Sequence, residues 1–241
     1  MNNVLSMSGG KDSTCMMLEM LERGESIHSA VFFDTCWEFP SMYEHIEKLE
    51  EYTGVKIWHL HSRFPFDYWL TARPVIARDG PKKGQVHRIG NGWPSLTRRW
   101  CTREKIDTIN LYVKPIENAV SCIGYAADEK DRQFCDEKIP HRFPLVEYGI
   151  TEKQALGICK SHGFDWNGLY DHFSRASCFC CPLKRLGELR VLRHEYTDLW
   201  QRMLEMDESI PNNRGFRADK TVHDLENRFT GEDRQEVMRL S

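Results

Sequence analysis

The chain has 241 residues and is 40% hydrophobic, enough to bury a substantial core, while its formal net charge of −3 and pI of about 6.4 exclude a global electrostatic attraction to nucleic acid or an anionic membrane. No apolar run approaches bilayer-spanning length, and Lys11 and Asp12 arrive too early for the apolar core of a secretory signal, so a cytoplasmic protein with no membrane partner is expected. In a reducing compartment its nine cysteines point to metal or sulfur chemistry and some buried thiols more than to a disulfide framework.

From the N-terminus, an apolar strand (Asn3 to Met7) leads to a helix (about Ser13 to Arg23). A strand (Ser29 to Phe33), a Glu- and Lys-rich helix (Ser41 to Thr53) and a third strand (Val55 to Leu60) follow. This βαβαβ order predicts an α/β fold: a parallel twisted sheet with helices on both faces. From Ser62 to Trp100 the periodicity fails, and Pro, Gly and basic residues gather in ARDGPKKGQVHRIGNGWPS, which predicts a long loop. A strand returns at Ala119 to Gly124. Beyond FPLVEYG come a helix capped by Thr151 and running to Ser161, the cysteine-rich SCFCCPLKR, and a long amphipathic helix from about Leu186 to Met206. The expected organisation is a nucleotide-binding sheet domain over 1–150 and a helical, cysteine-containing extension over 151–241 packed on the same domain.

The segment SMSGGKDSTC, directly after the first strand, carries the strongest chemical signal. A glycine-rich turn between strand and helix lies at the C-terminal edge of a parallel sheet, where such sheets bind ligands. Gly9 and Gly10 let backbone N–H groups approach an anion, the following helix adds its positive end, Lys11 supplies a charge, and Ser8 and Ser13 supply hydroxyl donors. Phosphate is the natural guest. From Arg73 to Lys105 there are nine Lys/Arg against two acids, a local balance that suits a polyanion, although Lys82 and Lys83 equally fit a solvated loop.

The spacing does not fit the P-loop of GTPases and kinases. Instead, Ser8-Gly9-Gly10-Lys11-Asp12-Ser13 resembles the pyrophosphate-binding signature of the PP-loop (adenine nucleotide alpha hydrolase-like) enzymes. FFDTCWEFP is similar to the Asp-Thr-Gly-x-x-Phe-Pro segment of their phosphoadenosine phosphosulfate reductase branch, with Cys36 in place of the glycine. RRWCTREKI and GYAADEKDR are similar to two further segments of that branch, with Ala126 where an arginine is common. The resemblance runs from about Val4 to Pro182. It implies that Ser8, Gly9, Gly10, Lys11, Asp12 and Ser13 hold the anionic end of ATP or of an adenylyl sulfate, that Phe33, Asp34 and Thr35 border the adenosine, that Mg²⁺ arrives with the nucleotide and Asp12, and that Lys105 and Arg132 offset charge at the α-phosphate.

Cys178, Cys180 and Cys181 form a C-x-x-C with an extra cysteine, followed by proline, and Cys101 lies 77 positions upstream. Four thiolates suit a [4Fe–4S] cluster or a tetrahedral zinc. Cluster-bearing adenylyl sulfate reductases carry a Cys-Cys pair in the segment matching Cys101 and a later C-x-x-C; here the first segment has one cysteine and the second has three. Either all four bind, or three bind and one iron stays open to carry sulfur, as in cluster-dependent tRNA thiolation enzymes of the same superfamily. A zinc knuckle pinning the C-terminal helices is the structural alternative. Cys15, Cys122 and Cys159 read as core residues; Cys36 and Cys135 have no assigned role.

Sulfonucleotide reductases of the familiar kind attack sulfur with a cysteine in a C-terminal Glu-Cys-Gly-Leu-His, whereas no cysteine follows Cys181 here. The leading expectation is therefore an ATP-using PP-loop enzyme that adenylates a substrate and releases pyrophosphate in sulfur transfer. The acceptor would be a small molecule, or a tRNA or other nucleic acid received by the basic segment 73–105. The alternatives are an adenylyl sulfate reductase with an unusual nucleophile, such as Cys180 or Cys36, and a nucleotide-binding accessory protein with a structural metal.

Overall fold

The structure, a computed structural model, describes residues 1–129, 139–176 and 178–240. In chain order its elements are β1 (Asn2–Met7), α1 (Lys11–Glu22), β2 (Ser29–Phe33), α2 (Pro40–Thr53), β3 (Ile57–Leu60), α3 (Phe66–Thr71), β4 (Pro74–Ile76), β5 (Val86–Ile89) and α4 (Trp100–Val113). They continue with β6 (Ala119–Ile123), β7 (His141–Arg142), α5 (Pro144–Glu147), α6 (Glu152–Ser161), a 3-10 turn (Trp166–Gly168), α7 (Leu169–His172), α8 (Leu186–Glu195), α9 (Thr197–Glu208) and α10 (Val222–Leu240). The chain divides into two compact units, residues 1–62 with 104–178 and residues 63–103 with 179–241. Residues 151–178 thus lie with the sheet, and the segment predicted as a long loop lies with the C-terminal helices.

The first unit holds a five-stranded sheet in the order β3-β2-β1-β6-β7, parallel at every pairing, with helices on both sides. Its β2 is buried along its whole length, as an apolar run covered on both faces must be. The chain steps from β1 to β2 to β3 in one direction and then returns to pair β6 on the other side of β1, with Asn2 opposite Ala119. That reversal makes the C-terminal ends of β1 and β6 the topological switch point, the general ligand position in such sheets. Short connections at one edge follow from the parallel arrangement: Met7, Phe33, Leu60 and Ile123 all hand over to loops there.

The second unit contains the antiparallel pair β4–β5 where the sequence predicted only loop; its turn bends through Gly80 and Gly84 at φ +73 and +82. Strands of three and four residues are too short to show a readable alternation. Tyr196, at φ −127 and ψ 56, divides the single long helix expected from Leu186 into α8 and α9. The buried Asp207 organises this unit: it accepts Trp93 Nε1–H and Asn213 Nδ2–H at 2.7 Å each, and the Val222 amide at 3.1 Å. Among the described residues no helix is long and apolar enough to cross a membrane.

Candidate functional site

The turn between β1 and α1 is tightly specified. Gly9 stands at φ +73, and a Cβ there would meet Met42 Sδ at 2.3 Å. Gly10 takes the extended N-cap conformation, φ −80 and ψ 170, so α1 begins at Lys11, two residues before the expected start. Ser13 does not cap from outside; its Oγ donates back to Gly10 O at 3.0 Å and accepts the Ser8 amide at 3.1 Å, while Ser8 Oγ accepts the Gly10 amide at 3.3 Å. Serine hydroxyls therefore hold the loop's own backbone, and the helix N-terminus remains a preorganised positive end.

Lys11 is nearly buried and donates to both Asp12 oxygens, at 2.8 and 2.9 Å; Glu152 Oε1 lies 3.8 Å from the same Nζ. Asp12, Glu129 and Glu152 bring one oxygen each within 4.8 Å of one another. Burial pushes the Glu152 carboxyl up against the opposing pull of Lys11. This corner can exchange its lysine contacts for a nucleotide's phosphates and an oxygen-seeking cation.

Several residues that support the loop were not singled out from the sequence. Tyr170 Oη accepts the Lys11 amide at 2.7 Å, and Trp166 Nε1 donates to Gly9 O at 2.7 Å. Burial raises the Tyr170 hydroxyl's pKa, so the group stays neutral and oxygen-bearing at the helix N-terminus. Trp166, Asn167 and Gly168 are all left-handed, with φ 53, 53 and 78, the bend that turns both rings onto the loop. His45 stacks on Trp166 at 4.4 Å and pairs with Thr14 Oγ1 at 2.8 Å; burial depresses its pKa to about 3, so it is neutral. Gly124, first after β6, passes so close to α1 that a Cβ would lie 2.9 Å from Asp12 C. The only local signal for Trp166 and Tyr170 is the D-W-N-G turn composition, and nothing in it names the loop as their target.

At the end of β2, Phe33, Asp34 and Thr35 are buried. Asp34 Oδ1 accepts the Cys36 amide at 2.7 Å and Tyr43 Oη–H at 2.8 Å. Cys36 has φ 59, the left-handed conformation that favours glycine. Thr35 Oγ1 donates to Glu38 Oε1 at 2.8 Å and lies 3.6 Å from Cys178 Sγ, which itself reaches Glu38 at 3.6 Å. Burial holds the Glu38 carboxyl's pKa up, with the Lys105 charge opposing it. Lys105 therefore acts on the β2 end.

Cys178 belongs to the first unit, and Cys101, Cys180 and Cys181 to the second. Burial, with Cys181 beside it, pushes the Cys101 thiol up. The three sulfurs of the second unit do not form a group within 4.8 Å of one another. Tetrahedral zinc, with Zn–S about 2.3 Å, needs its sulfurs about 3.8 Å apart, whereas the cysteines of a polynuclear cluster cap separate irons. Cys15, Cys122 and Cys159 are fully buried, as expected for core thiols. Arg132 and Cys135 lie outside the described residues. In the second unit Arg88 is shifted down by burial and by the charges of Arg98 and Arg214, so three guanidinium groups share one neighbourhood.

Residues 2–182 match the family model of the phosphoadenosine phosphosulfate reductase domain. The chain belongs to that family. The family's name-giving substrate is an adenine nucleotide, in keeping with the loop at Ser8 to Ser13. A curated relative is an uncharacterized protein of Methanocaldococcus jannaschii, 24% identical over 212 residues, 83% of this chain and 40% of that one. The chain thus spans well under half of that relative's length. Among solved structures, it is similar to phosphoadenylyl-sulfate reductase from Candida auris in a phosphate complex, at 14% identity and a TM-score of 0.45, covering 71% of this chain and 77% of that one. It is also similar to the U34-tRNA thiolase of Methanococcus maripaludis with its [4Fe–4S] cluster, at 14% identity and a TM-score of 0.43, covering 95% of this chain and 70% of that one.

Proposed function

We propose that this family member is an ATP-dependent adenylating enzyme of sulfur transfer. The observation that carries the reading is the preorganised loop at the β1/β6 switch point: Gly9 and Gly10 leading into the N-terminus of α1, with Lys11 as the adjacent charge. In this reading Ser8, Gly9, Gly10, Lys11, Asp12 and Ser13 hold the β,γ-phosphates, and Mg²⁺ enters with the nucleotide at Asp12. Phe33, Asp34 and Thr35 border the adenosine. An oxygen of the acceptor attacks the α-phosphorus, pyrophosphate leaves, and a sulfur nucleophile then displaces AMP. Positioning and charge neutralisation supply the catalysis, Lys105 and Arg132 serving the α-phosphate.

Cys101, Cys178, Cys180 and Cys181 would hold a [4Fe–4S] cluster, which supplies a carrier of sulfur when bound. The convergence of Arg88, Arg98 and Arg214 supports a phosphate-rich acceptor such as a tRNA, because like charges held together gain most from a polyanion.

Lys11→Ala removes a charge-assisted contact worth about 1.5–3 kcal/mol, so ATP affinity measured by calorimetry should fall about ten- to a hundredfold. Unchanged affinity sinks the site. Anaerobically purified protein should contain iron and sulfide, lost in Cys101→Ser and Cys181→Ser but kept in Cys15→Ser. Stoichiometric zinc without iron establishes the structural knuckle instead. Multiple-turnover sulfite release from an adenylyl sulfate with a thiol reductant would favour the reductase alternative.

A further inference from the structure

The ends of β2 and β3 carry a cluster that the phosphate loop does not use. Phe33 pairs with Leu60, and the Asp34 amide donates to Leu60 O at 2.9 Å, so the next residues, Asp34 and His61, emerge side by side at the sheet edge. The turn after Asp34 brings Cys36 back toward the same point. Asp34 Oδ1 is occupied by two donors, the Cys36 amide and Tyr43 Oη–H, which fixes the carboxylate and presents Oδ2 to His61 Nδ1 at 4.0 Å. One oxygen of Asp34, Cys36 Sγ and one nitrogen of His61 all lie within 4.8 Å of one another.

We propose that Asp34, Cys36 and His61 form a binding site for a divalent metal ion of the zinc class, with a ligand set distinct from the four cysteines discussed above. A thiolate, an imidazole and a carboxylate are the donors a borderline-soft, tetrahedral ion takes. Metal–ligand bonds of about 2.0–2.3 Å require donor separations of about 3.3–3.6 Å, so donors within 4.8 Å of one another need to close by at most about 1.5 Å. Cys36 and His61 are exposed and can make that adjustment by side-chain rotation, while Asp34 stays anchored. Tyr43 Oη–H donates to Asp34 Oδ1 at 2.8 Å and so orients the carboxylate, as outer partners of metal ligands do. Three protein donors leave the fourth position open toward solvent for water or a small anionic ligand. The inference does not depend on the nucleotide reading.

Zinc competition against a chromophoric chelator, on the full chain, tests this. The unsubstituted protein should bind one zinc equivalent that Cys36→Ser and His61→Ala each lose, or hold at least tenfold more weakly, and Tyr43→Phe should weaken it about tenfold. Cobalt in the same site should show tetrahedral visible bands and a thiolate charge-transfer band, the latter absent in Cys36→Ser. Cys178→Ser and Lys11→Ala should keep this equivalent, which separates its fate from that of the cluster and of the nucleotide site. Zinc stoichiometry and affinity unchanged in Cys36→Ser and His61→Ala overturn the proposal. Cys36 alkylation that zinc does not slow, but that His61→Ala does, also overturns it, because the three residues would then be a proton relay to a reactive thiol.

Discussion

Gly9 shows how much one residue can be required to do. Its φ of +73 costs a side-chain-bearing residue about 1–2 kcal/mol, and the space a Cβ needs is already filled by the buried Met42. Gly9→Ala should therefore destabilise the protein by about 2–4 kcal/mol, measured by denaturant unfolding. In a Met42→Ala background the same change should cost only the backbone share, about 1–2 kcal/mol, so the double-mutant cycle should show coupling. Equal costs in both backgrounds would place the constraint wholly in the backbone. The sequence made the glycines legible because their role is local: a strand, a tight turn and a helix within a dozen residues. It did not make Tyr170 or Trp166 legible, because they reach the loop from 159 and 157 positions away, through a bend whose composition names no partner.

Length helped but did not suffice: several long elements were readable, whereas α4, of 14 residues, and α10, of 19, were not placed as individual helices. The strands and helices from β1 to β3 appeared at nearly their observed bounds, and the Thr151 cap is present as a capping box with Gln154. The expectation failed where elements are short, as in β4 and β5, or where a single residue breaks a periodic run, as at Tyr196. The α8 and α10 helices are tied by Arg193, which meets Glu226 at 2.8 Å and Asp233 at 2.6 Å. Its hydrogen bond is the main cause that depresses the Glu226 pKa from 4.5 to about 2. A depressed carboxylate stabilises the fold above its unfolded pKa and loses that contribution as pH falls through the folded value. Glu226→Gln should thus lower stability by about 1–2 kcal/mol at pH 7, after discounting for solvent screening, and the difference from the unsubstituted protein should vanish as pH falls from 4.5 toward 2. A deficit that persists at pH 2 would trace the loss to packing or hydrogen bonding in place of charge.

At the scale of the whole molecule, neither compact unit is a continuous stretch of chain, which is why reading along the sequence suggested a boundary near residue 150. A cut there would remove α6, Phe164, Trp166 and Tyr170 from the unit they help to pack, although each is remote in sequence from the loop they support. The division also suggests a shorter protein. Ser62 Oγ donates to Glu104 Oε2 at 2.9 Å, so the points where the chain leaves and re-enters the first unit are adjacent in space. Closing so small a gap with a few glycines and serines costs little loop entropy. A chain joining residue 62 to 104 through such a linker and ending at 178 should fold with the parallel sheet intact and bind ATP within a few-fold of the full protein, because every described residue of the phosphate loop and its supports lies in that unit. It should hold no iron, since Cys101, Cys180 and Cys181 are gone. Circular dichroism, calorimetry with ATP and metal analysis of the same preparation would decide the point. A folded chain whose ATP affinity has collapsed would mean that the nucleotide site extends beyond the first unit.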